Sequence, residues 1–106
     1  SQYLTQVSKD ATALRLAIMH YEHRTAAITD EQAVQYLQQA LNSQHLSQVA
    51  KETAAQRLAR MRCANRTAAI TDERAVRLLS SMISSASNWA LIKSAGGLLG
   101  KLLERM

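Results

Sequence analysis

The sequence predicts an all-α protein, a compact bundle of four to five helices built from two tandem helical-hairpin repeats and a C-terminal amphipathic helical segment. Three observations support this prediction. The 106 residues contain no proline and three glycines, and 47% are hydrophobic, which is enough to bury one core. Apolar residues recur at spacings of three and four, the period of an amphipathic helix. The sequence also repeats itself after 42 residues.

The internal duplication sets the expected organisation of the chain. Residues 1–42 and 43–84 align without a gap, and 22 of the 42 paired positions are identical. The unchanged run RTAAITDE covers 24–31 in one copy and 66–73 in the other. We expect repeat 1, repeat 2 and a C-terminal amphipathic helix over 85–106 to form one compact domain.

The first helix is expected over residues 2–24, because one apolar stripe runs along its whole length. The stripe comprises Leu4, Val7, Ala11, Leu14, Ile18 and Tyr21. Leu16 and Met19 lie on other sides of the same helix, so it is apolar nearly all round. We therefore expect helix 1 to be central in the bundle or to face a partner.

The second helix is expected over 30–42, because Thr29 is a suitable N-cap and Asp30 places an acid in the first turn. Thr71 and Asp72 repeat this arrangement and predict that helix 4 begins at residue 72. Helix 3 is expected over 44–66, with Ser43 as its cap. The row of helix 3 that matches the apolar stripe of helix 1 comprises Leu46, Val49, Thr53, Gln56, Arg60 and Cys63. The second copy has therefore become polar where the first stayed apolar.

The end of helix 4 has two interpretations. Its apolar spacing continues to about Ser94, which favours one long helix, whereas Ser87 or Asn88 would begin a separate fifth helix. The C-terminal segment has an apolar stripe of its own, and we expect it to cover the extra apolar face of helix 1 or to associate with a second copy. Gly96 and Gly100 are four residues apart and would permit close backbone approach.

No catalytic arrangement is evident in the sequence. The spacings contain no Ser-His-Asp set, glycine-rich phosphate loop or paired-carboxylate cleft, so we expect no enzyme activity, cofactor or small-molecule substrate. His20 and His23 are one helical turn apart, but the duplicate positions are Arg62 and Asn65, so we predict no metal site. Cys63 is interpreted as a small core or boundary residue, and a single cysteine suits a reducing, cytoplasmic setting.

A protein-interaction or assembly role is the principal functional prediction, with a protein partner or a second copy of the chain as the ligand. The candidate interface comprises apolar residues of helix 1 and of the C-terminal segment: Leu14, Ile18, Tyr21, Leu98 and Leu102. A second candidate site is the repeated connector, through Arg24, Asp30, Arg66 and Asp72. That connector has two interpretations, a shared structural cap or a recognition edge that occurs twice.

Charge supports an alternative role. Residues 1–42 carry a net charge of −1, residues 43–84 carry +4 and the tail carries +2. Clustered arginines at helical spacing are typical of phosphate contact, so nucleic-acid binding through Arg57, Arg60, Arg74 and Arg77 is the second hypothesis. Membrane-surface association through the amphipathic tail is the third, and the paired glycines count against it.

Overall fold

Five helices follow one another along the chain in the computed structural model, which describes residues 2–86 and 88–106. The prediction of an all-α bundle is confirmed, and no strand occurs among the described residues. The helices are α1 (Gln2–Tyr21), α2 (Asp30–Asn42), α3 (Gln48–Cys63), α4 (Asp72–Ser85) and α5 (Trp89–Arg105).

The helices pack in series, each on the next. Contacts join α1 to α2, α2 to α3, α3 to α4 and α4 to α5, and α3 also touches α1 and α5. The central helix is therefore α3, and the expectation that helix 1 is central is wrong. The expectation that the C-terminal segment covers helix 1 is also wrong, because α5 packs against α4 and α3.

The core follows this order. Helix α3 buries seven residues, including Ala54, Leu58 and Met61, whereas α5 buries two, Ala95 and Leu102. The largest fully buried side chains are Leu37, Leu58, Met61, Leu79 and Leu102. Burial of a leucine of this kind stabilises the fold by about 2 kcal/mol. A helix with neighbours on both sides buries more of its surface than a helix at the end of the series.

Helices α1 and α3 end in the same way, and earlier than the sequence predicted. His23 and Asn65 adopt left-handed backbone conformations, with φ of 60° and 59°. The next amide in each case, that of Arg24 or Arg66, donates to the carbonyl of Met19 or Met61, at 2.8 and 2.9 Å. This is the Schellman pattern, which satisfies the last carbonyls of a helix. It ends α1 at Tyr21 and α3 at Cys63, so Arg24 and Arg66 lie beyond the last helical turn.

Helix starts were predicted well at the two threonines. The Thr29 and Thr71 hydroxyls accept from the amides of Gln32 and Arg74, at 3.2 and 3.1 Å. Helix α3 differs, because its N-cap is Ser47.

Ser43 is the C-cap of α2 and does not cap α3. Its hydroxyl donates to the Asp10 carboxylate at 2.7 Å and accepts from the amides of His45 and Leu46. These bonds hold residues 43–46 outside any helix, which is why α3 begins at Gln48.

The C-terminal region contains a separate fifth helix. Helix α4 ends at Ser85, and the Asn88 side chain caps α5 by accepting from the amides of Ala90 and Leu91, at 2.9 and 3.4 Å. Ser87, the other predicted start, lies outside the described residues. The close approach at Gly96 and Gly100 was expected between two copies and stays a prediction. Among the described residues of one chain, a Cβ atom at either position would meet no atom within 4 Å.

Candidate interaction surfaces

The connector between α3 and α4 contacts the start of α2 through an ion pair. Arg66 donates to Asp30 from Nη2 at 2.6 Å and from Nε at 3.3 Å. His20 Nε2 lies 2.7 Å from Oδ1 of the same carboxylate. The hydrogen bond from Arg66, followed by that from His20, lowers the pKa of Asp30 from 3.8 to about 2. Asp30 therefore joins three segments of the chain: the end of α1, the start of α2 and the second connector.

A second cluster of the same kind surrounds Asp72. Its Oδ1 atom accepts from Arg62 Nε at 2.7 Å and from Arg105 Nη2 at 2.9 Å. The hydrogen bond from Arg62 lowers the pKa of the Asp72 carboxyl, against an opposing effect of burial, and the charges of Arg105 and Arg62 and the hydrogen bond from Arg105 lower it further. Arg105 also donates to the Cys63 carbonyl at 2.8 Å. The end of α5 is thus tied to the end of α3 and the start of α4.

Arg24, the fourth predicted connector residue, lies apart from both clusters. Its one ion pair in the described part of the chain is with Glu22, at 3.5 Å, and 65% of its side chain is exposed. Arg66, 42 positions later, is 22% exposed and paired with Asp30. The structure therefore brings Asp30 and Arg66 together, places Asp72 in a separate cluster and leaves Arg24 at the surface.

Tyr21 lies beside the first cluster. The guanidinium carbons of Arg57 and Arg66 are 5.5 and 5.6 Å from the centroid of its ring. Both distances are within the range of cation–π attraction. Tyr21 was predicted as part of an apolar interface, and the structure makes it a half-buried platform for two cations.

An open groove of about 450 Å³ lies along α1 and α2, and all the described residues that line it belong to these two helices. Its lining residues are Gln6, Ser8, Lys9, Asp10, Thr12, Ala13, Leu16, Tyr36 and Gln39. Leu4, near the start of α1, is 65% exposed. We call the surface formed by these ten residues the open edge.

A smaller cavity of about 170 Å³ lies between α2, α3 and α4, and it is lined by the matching residues of the second half of the chain. Six of its lining residues stand 42 positions after six that line the open groove: Gln48, Lys51, Glu52, Ala55, Leu78 and Ser81. The cavity has one further wall, because Leu41 of α2 also lines it. At the open edge, none of the described helices supplies the corresponding wall.

Burial at matched positions shows the same difference. Ala54 and Leu58 are 0% and 1% exposed on α3. Their counterparts on α1 are Thr12, which is exposed, and Leu16, which is half-buried. Apolar surface that is covered on α3 is therefore accessible on α1.

The predicted apolar interface is divided by the structure. Leu14 and Leu102 are buried in the core of the chain, so neither is accessible to a partner in this conformation. Ile18, Tyr21 and Leu98 are half-buried. Leu14 and Ile18 line a groove of about 230 Å³ between α1 and α3, together with Ala11, Arg15, Met19, Glu22, Arg24, Leu46 and Ala50.

The predicted basic patch falls on two helices. Arg57 and Arg60 are half-buried on α3, where Arg57 donates to Gln56 and Arg60 donates to Ser94 Oγ at 2.6 Å. Within the described residues neither arginine has a carboxylate within 4.0 Å, and the buried Nε atom of each has no hydrogen-bond partner. Arg74 and Arg77 are exposed on α4.

Sequence reasoning did not identify His20, Arg62 or Arg105 as members of the carboxylate clusters, nor the open groove. His20 and Arg62 occupy matching positions 42 residues apart, ten residues before an aspartate in each case. That shared spacing was the signal available for those two residues. The groove could have been found only by knowing that the helices pack in series.

Residues 2–86 and 88–106 contain no cluster of three metal-ligating side chains, and none of their helices is long and apolar enough to span a membrane. No family model matches the chain, and no curated protein or solved structure matches it either. The surfaces described above are therefore the basis for assigning a function.

Proposed function

We propose that the chain is a non-catalytic protein-interaction module, and that it binds an amphipathic helix at the open edge of α1 and α2. The observation that carries this proposal is the match between the open groove and the cavity between α2, α3 and α4. Six residues that line the cavity stand 42 positions after six residues that line the groove. Helix α2 packs over the cavity, through Leu41. The proposal treats the two hairpins as structural repeats, consistent with their paired caps and Schellman ends.

The helix that packs over the cavity defines the chemistry of the ligand. Helix α2 presents Val34, Leu37 and Leu41 along one side and begins with Asp30, which binds Arg66. A helix that fits the open edge would offer the same apolar spacing and an acid in its first turn, directed to Arg24. Exposed apolar surface is typical of such an interaction site. Arg24, near the end of α1, is 65% exposed, and its one ion pair among the described residues is the 3.5 Å contact with Glu22.

A peptide of residues 28–43, which carries the α2 sequence, is a direct probe. We expect a fluorescently labelled peptide to bind the full chain saturably, measured by anisotropy. Binding will be weak, because an isolated helix of this length is marginal in water. A scrambled peptide of the same composition should not bind.

Ala13→Glu tests the location of the site. It places a charge in the groove, and we expect the Kd for the peptide to rise at least about tenfold, which corresponds to about 1.4 kcal/mol. Ala90→Glu, at an exposed position of α5, is the matched control and should leave the Kd unchanged. Equal binding by the two variants would contradict the proposal.

Nucleic-acid binding is the second candidate function, and one observation favours it. Arg62, Arg66 and Arg105 each pair with an aspartate, whereas the half-buried Arg57 and Arg60 have no such partner among the described residues. Arg60 faces α5 through Ser94, whereas Arg57 lies over the Tyr21 ring of α1. Titration of the chain with an oligonucleotide over a range of salt concentrations tests this function, which requires an affinity that falls steeply with salt and is reduced by Arg57→Gln.

A cytoplasmic location accompanies the principal proposal. Cys63 is a free, half-buried thiol beside the end of α3, and a chain with one cysteine forms no internal disulfide. The membrane-surface hypothesis is weakened by the packing of α5. Leu102 of its apolar stripe is fully buried within the chain, and Leu98 is half-buried, so the stripe is not free to enter a bilayer in this conformation.

A further inference from the structure

We propose that the natural ligand of the open edge is a second copy of this chain, which docks α1 onto α4 in the place that α5 occupies. This inference rests on the proposed function and specifies its partner. The first supporting observation is the ion pairing of the two aspartates that begin α2 and α4. Asp30 starts α2 and is bound by Arg66, which follows α3, whereas Asp72 starts α4 and is bound by Arg105 at the end of α5.

Charge complementarity identifies the residue that would replace Arg105. Arg24 follows α1 as Arg66 follows α3, and its backbone makes the same Schellman bond. Arg24 is exposed, and its one ion pair in the described part of the chain is a 3.5 Å contact with Glu22. In a head-to-tail pair, Arg24 of one copy would form an ion pair with Asp72 of the other, as Arg66 does with Asp30 within the chain.

The apolar faces of α2 and α4 are alike, which supports the docking of α1 of one copy onto α4 of another. The packing positions of α2 recur on α4 as Ala75, Val76, Leu79, Met82 and Ile83. Ile83 corresponds to Leu41, the side chain that walls the cavity against α3. At the open edge, Ile83 of the second copy would contact the groove beside Ala13 and Leu16, the positions that match Ala55 and Leu58. The proposed contact therefore repeats the α2–α3 contact already present within the chain.

Helix α5 is suited to act as a displaceable cap of α4. It lies at the end of the packed series and buries two residues, Ala95 and Leu102. Gly96, Gly97 and Gly100 are exposed and permit no contact that alanine would prevent. Glycine lowers the stability of a helix interior, so these three positions weaken α5 without a compensating gain in packing. The same face of α4 is thus available to α5 of its own chain or to α1 of another.

The test compares two substitutions that remove the same charge and have opposite expected effects. The association constant of the full chain is measured by sedimentation velocity over a concentration series. Arg105→Gln frees Asp72 from the cap, and we expect about fivefold stronger association. Arg24→Gln removes the competing cation, and we expect about fivefold weaker association, which is the size of effect that an ion pair of this kind produces.

Two further variants complete the test. Arg74→Gln removes an exposed charge from α4 and introduces the residue found at the matching position, Gln32, so it should leave association unchanged. In an Asp72→Asn background, Arg24→Gln should have no further effect, because the two substitutions remove one interaction. Circular dichroism melting of each variant establishes that it is folded.

Equal effects of Arg24→Gln and Arg105→Gln, or a monomer in both Arg105→Gln and the wild type at every concentration, would overturn the inference. These results are distinguishable from failure of the proposed function. Binding of the 28–43 peptide at the open edge, without self-association, would leave the interaction module standing and exclude the second copy as its ligand. Association that is sensitive to Ala13→Glu but insensitive to Arg24→Gln would exclude the proposed ionic contact.

Discussion

The ion cluster at Asp30 gives a quantitative prediction about stability. Asp30→Asn removes the negative charge but keeps the size of the side chain and one acceptor oxygen. Arg66 and His20, whose side chains are 22% and 15% exposed respectively, then lose their charged partner. We expect the free energy of unfolding to fall, and the pKa of Asp30 indicates by how much.

The magnitude follows from linkage between protonation and folding. A pKa lowered from 3.8 to about 2 corresponds to about 2 kcal/mol of preferential stabilisation of the charged form. The Asp30 side chain is 39% exposed, so solvent screening reduces this contribution to about 1 kcal/mol. For a chain of this size, that loss lowers the Tm by about 4 °C.

The pH dependence has a definite sign. Because the folded-state pKa is lowered, the contribution of Asp30 is fully present above pH 3.8 and is lost as the pH falls through about 2. The difference in unfolding free energy between wild type and Asp30→Asn should therefore shrink between pH 4 and pH 2. Asp72 titrates in both proteins, so its effect cancels in the difference.

Urea unfolding followed by circular dichroism at several pH values measures this difference. Glu31→Gln is the matched control, because it removes a neighbouring exposed acid from the same helical turn and breaks no ion pair between described residues. Repeating the comparison in a His20→Gln background isolates the contact with Arg66. A difference that stays constant down to pH 2, or that Glu31→Gln reproduces, would refute the account of the cluster.

Three further predictions concern the fold. Leu58→Ala should lower the free energy of unfolding by about 3 kcal/mol in urea titrations, and Leu16→Ala, at the matching half-buried position of α1, should cost less than half as much. Asn65→Ala should lower stability by about 1 kcal/mol in thermal melts, because its φ is 59°, whereas Asn65→Gly should not. Gly97→Ala should raise the free energy of unfolding by up to about 1 kcal/mol, since a Cβ atom there meets no neighbour. If α5 is the proposed cap, Gly97→Ala should also weaken self-association in sedimentation experiments.

Local signals in the sequence predicted local structure well. The starts of α2 and α4 were predicted correctly, because Thr29 and Thr71 bind amides only three residues away. The end of α1 was predicted three residues too late, since the left-handed conformation of His23 is not evident from its residue type. Ser43 was assigned to the wrong helix because its hydroxyl binds Asp10, 33 residues earlier in the chain.

Contacts between residues far apart in the chain could not be predicted from the sequence. The motif around Arg24 is identical to that around Arg66, so the sequence alone treats the two arginines as equivalent. The structure separates them, because Asp30 lies within reach of Arg66, whereas the one ion pair of Arg24 among the described residues is with Glu22. The position of α5 was mispredicted for a related reason. Both α1 and α4 present apolar faces, and only the order of packing determines which one α5 covers.

The open edge of α1 and α2 is the proposed binding surface for a helix. Chemical-shift mapping of the isotopically labelled full chain, titrated with the unlabelled 28–43 peptide, locates that surface directly. We expect shift changes at the amides of Gln6, Lys9, Ala13, Leu16 and Tyr36, which line the open groove. Shift changes confined to α3 and α5, or none at saturating peptide, would contradict this expectation.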